Sequence, residues 1–177
     1  MYSKFGQFID GKWQPSEKNE TYEVINPATE EVIGNASKAT PADVEKALKS
    51  AEKGFVIWKK TQPWQRASII RKIADLIRKK NDVLAKWLTL EVGKPLAEGT
   101  GEVNGAADIF EWNSEETKRI YGQTVESRFE NTRVHVYYQP VGVVAALIPW
   151  NFPIILASRK ISTALAAGCS VICKPDV

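Results

Sequence analysis

The stretch that decides the fold is residues 141–177, VGVVAALIPWNFPIILASRKISTALAAGCSVICKPDV. It begins with a continuous apolar run over residues 141–148, which Pro149 breaks. Residues 154–167 then follow helical spacing, and residues 170–173 form a second short apolar run. Strands that are apolar on both faces are typical of buried parallel sheets, and a helix between them makes a βαβ crossover. The stretch therefore predicts an α/β fold with a parallel sheet.

Polar and aromatic residues follow both predicted strands, at the edge where α/β proteins bind ligands. Asn151 can direct an amide at a developing oxyanion, or it can cap the next helix, which the spacing alone favours. Trp150 can cover the sheet edge or wall a flat cofactor. Lys174 can reach hydroxyl or phosphate oxygens of a ligand, or it can be an ordinary solvated lysine. Arg159, about two helical turns after Asn151, can clamp a carboxylate if it faces this edge, and is otherwise a surface arginine.

Upstream of this stretch, the sequence predicts short strands and a group of helices. Asp10-Gly11 and residues 26–29 mark the turns of two hairpins. Thr40 and Asp43 form a variant of the capping box that begins the first helix. The predicted elements that follow are a helix from Pro63, a helix over 83–91, a helix from about 98 to 120 with Val103, Ala106, Ala107, Phe110 and Trp112 inward, and a half-exposed hairpin of 124–129 with 133–138.

Composition excludes several classes of protein. The 177 residues carry 24 Lys+Arg against 21 Asp+Glu, a net charge of +3, which does not suggest a nucleic-acid partner. Two cysteines and one histidine rule out a disulfide framework and offer no metal site. The longest apolar stretch is about half of a membrane span, and the N-terminus lacks an apolar signal core. We therefore expect no metal, no nucleic-acid or membrane partner, and a cytoplasmic location.

Two further groups of residues could carry chemistry but favour ordinary roles. The second helix has a basic side, which we interpret as a solvated face rather than a phosphate patch. That side consists of Arg66, Arg71, Lys72, Arg78, Lys79 and Lys80. Cys169 begins the second strand at the edge opposite the predicted site, and Cys173 lies in an apolar strand, where a thiol is usually inert. Neither cysteine suits a nucleophile.

The order of motifs resembles that of the NAD(P)-dependent aldehyde dehydrogenases over essentially the whole chain. The matching motifs are GKW at 11–13, NPAT at 26–29, Trp58, Arg66, EVGKP at 91–95, YG at 121–122, GVVAALIPWNFP at 142–153, ALAAGC at 164–169 and KP at 174–175. The resemblance implies the N-terminal part of that α/β fold, as an incomplete domain. Residues 1–121 would begin the cofactor-binding domain, 122–140 would be a strand excursion into the oligomerisation domain, and 141–177 would be the first βαβ unit of a Rossmann-like sheet.

The same resemblance implies site residues and a reaction. Asn151 would stabilise the oxyanion, Lys174 would bind the adenosine ribose, and Arg159 would hold the carboxylate of a semialdehyde acid such as succinate semialdehyde. The residues implied to contact NAD or NADP are Ile148, Pro149, Trp150, Asn151, Lys174 and Pro175. In such enzymes a cysteine thiolate attacks the aldehyde to give a thiohemiacetal, hydride passes to NAD(P)+, and a glutamate-activated water releases the acid. The complete enzyme would be a homo-oligomer, either a dimer or a tetramer.

Departures from the family pattern limit what this chain is expected to do alone. The family usually has an acidic residue three positions after the lysine, where this chain has Val177, its last residue. The general-base glutamate, the nucleophilic cysteine and the catalytic domain are not within residues 1–177. We therefore expect an N-terminal fragment that is inactive alone and exposes apolar surface at 141–177. The alternatives are a non-catalytic cofactor-binding or assembly module and, less favoured, nucleic-acid binding through the basic helix.

Overall fold

The computed structural model describes residues 6–176, so residues 1–5 and Val177, the ends of the first and last predicted domains, lie outside the described residues. Short strands come first, a run of helices follows, and the described part of the chain ends with further short strands and one more helix. In chain order they are β1 (Gln7–Ile9), β2 (Lys12–Gln14), β3 (Thr21–Ile25), β4 (Val32–Ser37), α1 (Pro41–Trp58), α2 (Pro63–Lys79), α3 (Asn81–Val92), α4 (Leu96–Glu116), a 3-10 turn (Thr117–Arg119), β5 (Gln123–Glu126), β6 (Arg133–Val136), β7 (Val143–Leu147), α5 (Pro153–Ala166) and β8 (Ser170–Lys174).

The strands pair in the way that the sequence predicts. β1–β2, β3–β4 and β5–β6 are antiparallel hairpins. β7 and β8 pair in parallel, with Leu147 opposite Lys174, and α5 connects them. The βαβ unit and the α/β class are thereby confirmed. The predicted exposure of apolar surface at 141–177 is also confirmed, because the side chain of Leu147 in β7 is 62% exposed.

Helix α4 is the centre of the helical layer and packs against α2, α3 and α5. One buried cluster joins Ile70 of α2 to Phe110 of α4, and another joins Leu88 of α3 to Val103 of α4. Each fully buried apolar side chain of this kind contributes about 1.5–3 kcal/mol relative to an exposed one. The helices approach closely, because a Cβ on Gly99 of α4 would lie 2.9 Å from a backbone oxygen of α3. The core therefore lies between helices and holds α5 from one side.

The predicted inward position of Trp112 is wrong, because this side chain is 69% exposed. The buried positions of α4 recur three or four residues apart and pass from Phe110 to Ser114. On the helical wheel Trp112 lies about 200° from Phe110 and about 160° from Ser114, on the side opposite both, and therefore points away from the core.

The solvated basic face predicted for α2 is wrong for Arg66, whereas Arg71 is exposed as predicted. Arg66 is buried, and its guanidinium donates to the backbone oxygens of Thr61 and Ala166 at 2.7 and 3.4 Å. Arg71 and Arg78 form ion pairs with carboxylates of α4. Arg71 lies 2.8 Å from Glu111, and Arg78 lies 2.7 Å from Asp108. These three cations are therefore occupied by the fold rather than free for a phosphate.

Helix α1 begins with the capping box that the sequence predicts. The Thr40 hydroxyl accepts a bond from the Asp43 amide at 3.3 Å, and the Asp43 carboxylate accepts from the Thr40 amide at 3.0 Å. The carboxylate also accepts from the Glu17 amide at 3.1 Å, which ties the β2–β3 segment to the helix. These bonds, above all that from the Thr40 backbone, lower the pKa of Asp43 to about 2 against the opposing effect of burial.

The variant Asp43→Asn tests this cap through its pH dependence. A carboxyl whose pKa is lowered by folding stabilises the fold above its unfolded pKa, near 4, and loses that contribution as the pH falls through about 2. We expect the variant to be about 1–2 kcal/mol less stable than the parent near neutral pH, with a smaller difference at about pH 3. Urea unfolding at both pH values measures this difference. Asp82→Asn, in the first turn of α3, is the control, and a difference that does not change with pH would contradict the assignment.

Candidate functional site

The ends of β7 and β8 bring the predicted ligand edge together. The Ile148 amide donates to the Lys174 carbonyl oxygen at 3.0 Å, one step beyond the last paired residues of the two strands. Pro149 and Pro175 follow directly and are exposed, as are the side chains of Trp150 and Lys174. Trp150 is 68% exposed, so it does not serve as a cover for the sheet edge. The edge thus carries an exposed aromatic ring after β7 and an exposed cation at the end of β8.

Asn151 lies in this exposed loop but does not cap α5, so the capping interpretation is wrong. The N-cap position belongs to Phe152, whose side chain makes no capping bond, and the helix starts at Pro153. Within residues 6–176 the Asn151 side chain has no hydrogen-bond partner, whereas its backbone oxygen accepts from Lys94 at 3.0 Å. The amide of Asn151 is therefore open to a ligand.

A buried ion pair that the sequence analysis did not predict contacts the loop that contains Asn151. Lys94, in the α3–α4 connection, pairs with Glu102 of α4. The other carboxylate oxygen of Glu102 accepts from the amides of Ile154 and Ile155 at 2.9 and 3.2 Å. The sequence offered one signal of this pair, which is a charged residue on the inward side of α4. Glu102 falls between the buried positions Gly99 and Val103.

The other end of α5 is held by side chains from α1 and α2. The Trp58 indole donates to the Leu165 oxygen at 2.9 Å, and Arg66 donates to the Ala166 oxygen. Burial lowers the pKa of Arg66, although an arginine so far above neutrality remains charged. Gly168, with a φ of +91°, turns the chain past this guanidinium and into β8.

Arg159 is not joined to the strand-end residues. It lies in the second turn of α5 and is exposed. In the described part of the chain its side chain forms no ion pair and no hydrogen bond with Asn151 or Lys174. Its guanidinium is therefore available to a ligand.

The two cysteines differ from each other more than the sequence predicts. Cys169 is buried at the start of β8, as expected, but Cys173 is exposed rather than enclosed in a sheet. Neighbouring protein nevertheless raises the pKa of the Cys173 thiol by desolvation, and Lys160 opposes this effect only in part. Cys173 is thus a thiol at neutral pH, which does not favour nucleophilic attack.

Among residues 6–176, none of the helices combines the length and the apolar character that a bilayer span requires.

The sequence of this chain matches that of a known protein family. The sequence profile of the aldehyde dehydrogenase family matches residues 13–177. The chain belongs to the aldehyde dehydrogenase family. This match confirms the resemblance seen in the motifs. One of those motifs, residues 142–153, contains the whole loop around Asn151.

The curated relatives of this aldehyde dehydrogenase chain include semialdehyde dehydrogenases. Glutarate-semialdehyde dehydrogenase of Pseudomonas aeruginosa is 42% identical over 168 residues, which are 95% of this chain and 35% of the relative. The NADP(+) succinate-semialdehyde dehydrogenase of Escherichia coli is 40% identical over 167 residues, 94% of this chain and 35% of the relative. The chain therefore spans about a third of the length of the curated relatives that it matches.

Solved structures of the family share the fold closely. Succinate-semialdehyde dehydrogenase from Burkholderia pseudomallei superposes with a TM-score of 0.94 at 41% identity, covering 97% of this chain and 36% of that one. A point mutant of betaine aldehyde dehydrogenase from Staphylococcus aureus in complex with NAD+ has a TM-score of 0.93 at 34% identity, covering 98% of this chain and 36% of that one. The described residues thus have the architecture of a part of this fold.

Proposed function

We propose that this chain supplies the cofactor-binding edge and the oxyanion-stabilising amide of an NAD(P)-dependent aldehyde dehydrogenase. The observation that carries the proposal is the bond between Ile148 and Lys174, which places the two strand ends and the Asn151 loop at one edge. Ligands of α/β proteins bind at that edge. The nucleophilic cysteine and the general base would come from sequence outside residues 1–177. The complete enzyme would be a cytoplasmic homo-oligomer.

The side chains at the edge fit a dinucleotide by their chemistry. The Lys174 ammonium is exposed and can donate to ribose hydroxyls, and Trp150 offers a flat apolar face. Ile148, Pro149 and Pro175 would complete the contact surface with backbone and ring atoms. When bound, NAD or NADP supplies the acceptor for a hydride. The chain's own contribution is to bind and orient this cofactor at the strand ends.

Asn151 would act on the oxygen of the aldehyde. When a thiolate adds to an aldehyde, the carbonyl oxygen gains negative charge, and an amide N–H aimed at it lowers the barrier. The Asn151 amide makes no hydrogen bond within residues 6–176, so no internal bond has to break before it donates. The same donation continues to orient the adduct while hydride leaves its carbon.

The substrate class we propose is an aldehyde that also carries an acid group, such as succinate semialdehyde. Arg159 has no internal partner in the described residues, and a guanidinium matches a carboxylate by two parallel bonds. The names of the relatives from Pseudomonas aeruginosa and Escherichia coli support this class.

We expect the Asn151→Ala variant to lose turnover in an assembled enzyme. The assay uses a fusion of residues 1–177 to the part of Pseudomonas aeruginosa glutarate-semialdehyde dehydrogenase that this chain does not match. Removal of one oxyanion donor should lower kcat about 10²–10³-fold, and Asn151→Asp should be at least as inactive, because a carboxylate repels the oxyanion. NAD(P)H absorbance measures the rate, and Asn35→Ala is the control. A fusion that oxidises no aldehyde, or an unchanged kcat in Asn151→Ala, would argue against the proposal.

Arg159→Met in the same fusion tests the substrate class. A lost charge-assisted contact of about 1.5–3 kcal/mol should raise KM for succinate semialdehyde roughly 10–100-fold. KM for butanal, which has no carboxylate, should stay the same. Lys72→Met, at an exposed lysine of α2, is the control. Equal effects on both aldehydes would refute a role in carboxylate binding.

The isolated chain decides between the enzyme part and a binding or assembly module. The proposal predicts that the chain alone does not reduce NAD(P)+ with succinate semialdehyde. The module alternative predicts the same and, in addition, that the chain is monodisperse and binds NADH. If NADH fluorescence detects binding, Lys174→Met should weaken it about tenfold and Lys72→Met should not. An aggregated chain that does not bind would eliminate the module, and turnover by the chain alone would eliminate the predicted inactivity.

A further inference from the structure

We propose that Lys94 and Glu102 are positioning residues for Asn151. Their buried ion pair holds the loop at 149–152 and the first turn of α5 against the α3–α4 side of the fold. The catalytic consequence of this role rests on the proposed function, whereas the structural consequence does not.

The contacts lead directly from the pair to Asn151. Lys94 Nζ donates to the backbone oxygen of Asn151 at 3.0 Å and lies 4.1 Å from the centre of the Phe152 ring. A cation at this distance from an aromatic face is attracted to it. The pair therefore restrains both the residue that bears the amide and the residue that follows it.

Glu102 supplies the cap that α5 lacks. The first amides of a helix have no partner within the helix, and a side chain at the N-cap usually accepts from the second or third. Here Phe152 makes no such bond, Pro153 has no N–H, and Ile154 and Ile155 both donate to Glu102 Oε1. A carboxylate at this end also interacts favourably with the helix dipole.

The burial of the pair shows that its charges are fully committed. The side chains of Glu102 and Lys94 are only 1% and 8% exposed. A buried charge is costly unless it is paired and hydrogen-bonded, and removing one partner leaves the other uncompensated. Both Glu102 oxygens are used, one by Lys94 and one by the amides of α5. Loss of either residue should therefore release the loop.

Hydrogen exchange on the full 177-residue chain tests the structural part. We compare Lys94→Met, Glu102→Ala and Glu102→Gln with the exposed controls Lys86→Met and Glu98→Gln. The amides of Ile154 and Ile155 should exchange at least tenfold faster in the first two variants than in the controls. Glu102→Gln should have a smaller effect, since its amide oxygen still accepts. Amides in the middle of α3 and α4 should change less than those of Ile154 and Ile155.

Kinetics of the fusion test the catalytic part. Misplacing a reacting group by about 1 Å can cost about 100-fold in rate. Lys94→Met and Glu102→Ala should therefore lower kcat 10- to 100-fold with KM for NAD(P)+ unchanged, and the deficit should be absent when Asn151 is already alanine. A merely structural role would instead leave the losses independent of Asn151.

The outcomes separate the two proposals. Local exchange at Ile154 and Ile155 together with a kcat loss that depends on Asn151 supports the positioning role. Exchange that is unchanged, or that rises equally throughout α3, α4 and α5, overturns it. A parent fusion without activity overturns the proposed function, and the exchange data then decide whether the pair holds the loop.

Discussion

Helix α5 depends on charged side chains from other helices at both of its ends. At the N-terminal end, Glu102 of α4 accepts from two free amides, and at the C-terminal end, Arg66 of α2 donates to a free carbonyl. The signs match the helix dipole, with the anion at its positive end and the cation at its negative end. Since α5 connects β7 to β8, its placement also determines where the two strand ends meet. The predicted ligand edge is thus positioned by the helical core beneath it.

Features that depend on neighbours in the chain could be predicted from the sequence. The cap of α1 needs only Thr40 and Asp43, three residues apart, and the end of α3 needs only Gly93, whose φ is +78°. The hairpins and the βαβ unit follow in the same way from local alternation and turn residues. The edge that brings Ile148 to Lys174 was predictable too, because parallel strands joined by one crossover must end on the same side.

Features that depend on distant partners could not be predicted. Glu102 and Ile154 are separated by 52 positions in the chain, and Arg66 and Ala166 by 100. A local rule made Asn151 the cap of α5, but the amides such a cap would accept from are already bonded to Glu102. A local rule likewise made Arg66 part of a solvated face, although the end of α5 draws it into the interior. Both errors have one cause, which is that α5 takes its caps from other helices.

The use of Glu102 as a cap matters for the loop that precedes α5. An asparagine that caps a helix turns its side chain back toward the helix, and its orientation is then set by the backbone. Because a carboxylate from α4 satisfies those amides, the side chain of Asn151 keeps its full hydrogen-bonding capacity. Lys94 meanwhile holds the backbone oxygen of the same residue at 3.0 Å. Under the proposed function, this restraint on the backbone would reduce what must still be ordered before the Asn151 amide donates to the oxyanion, because only the torsions of its side chain remain to be set.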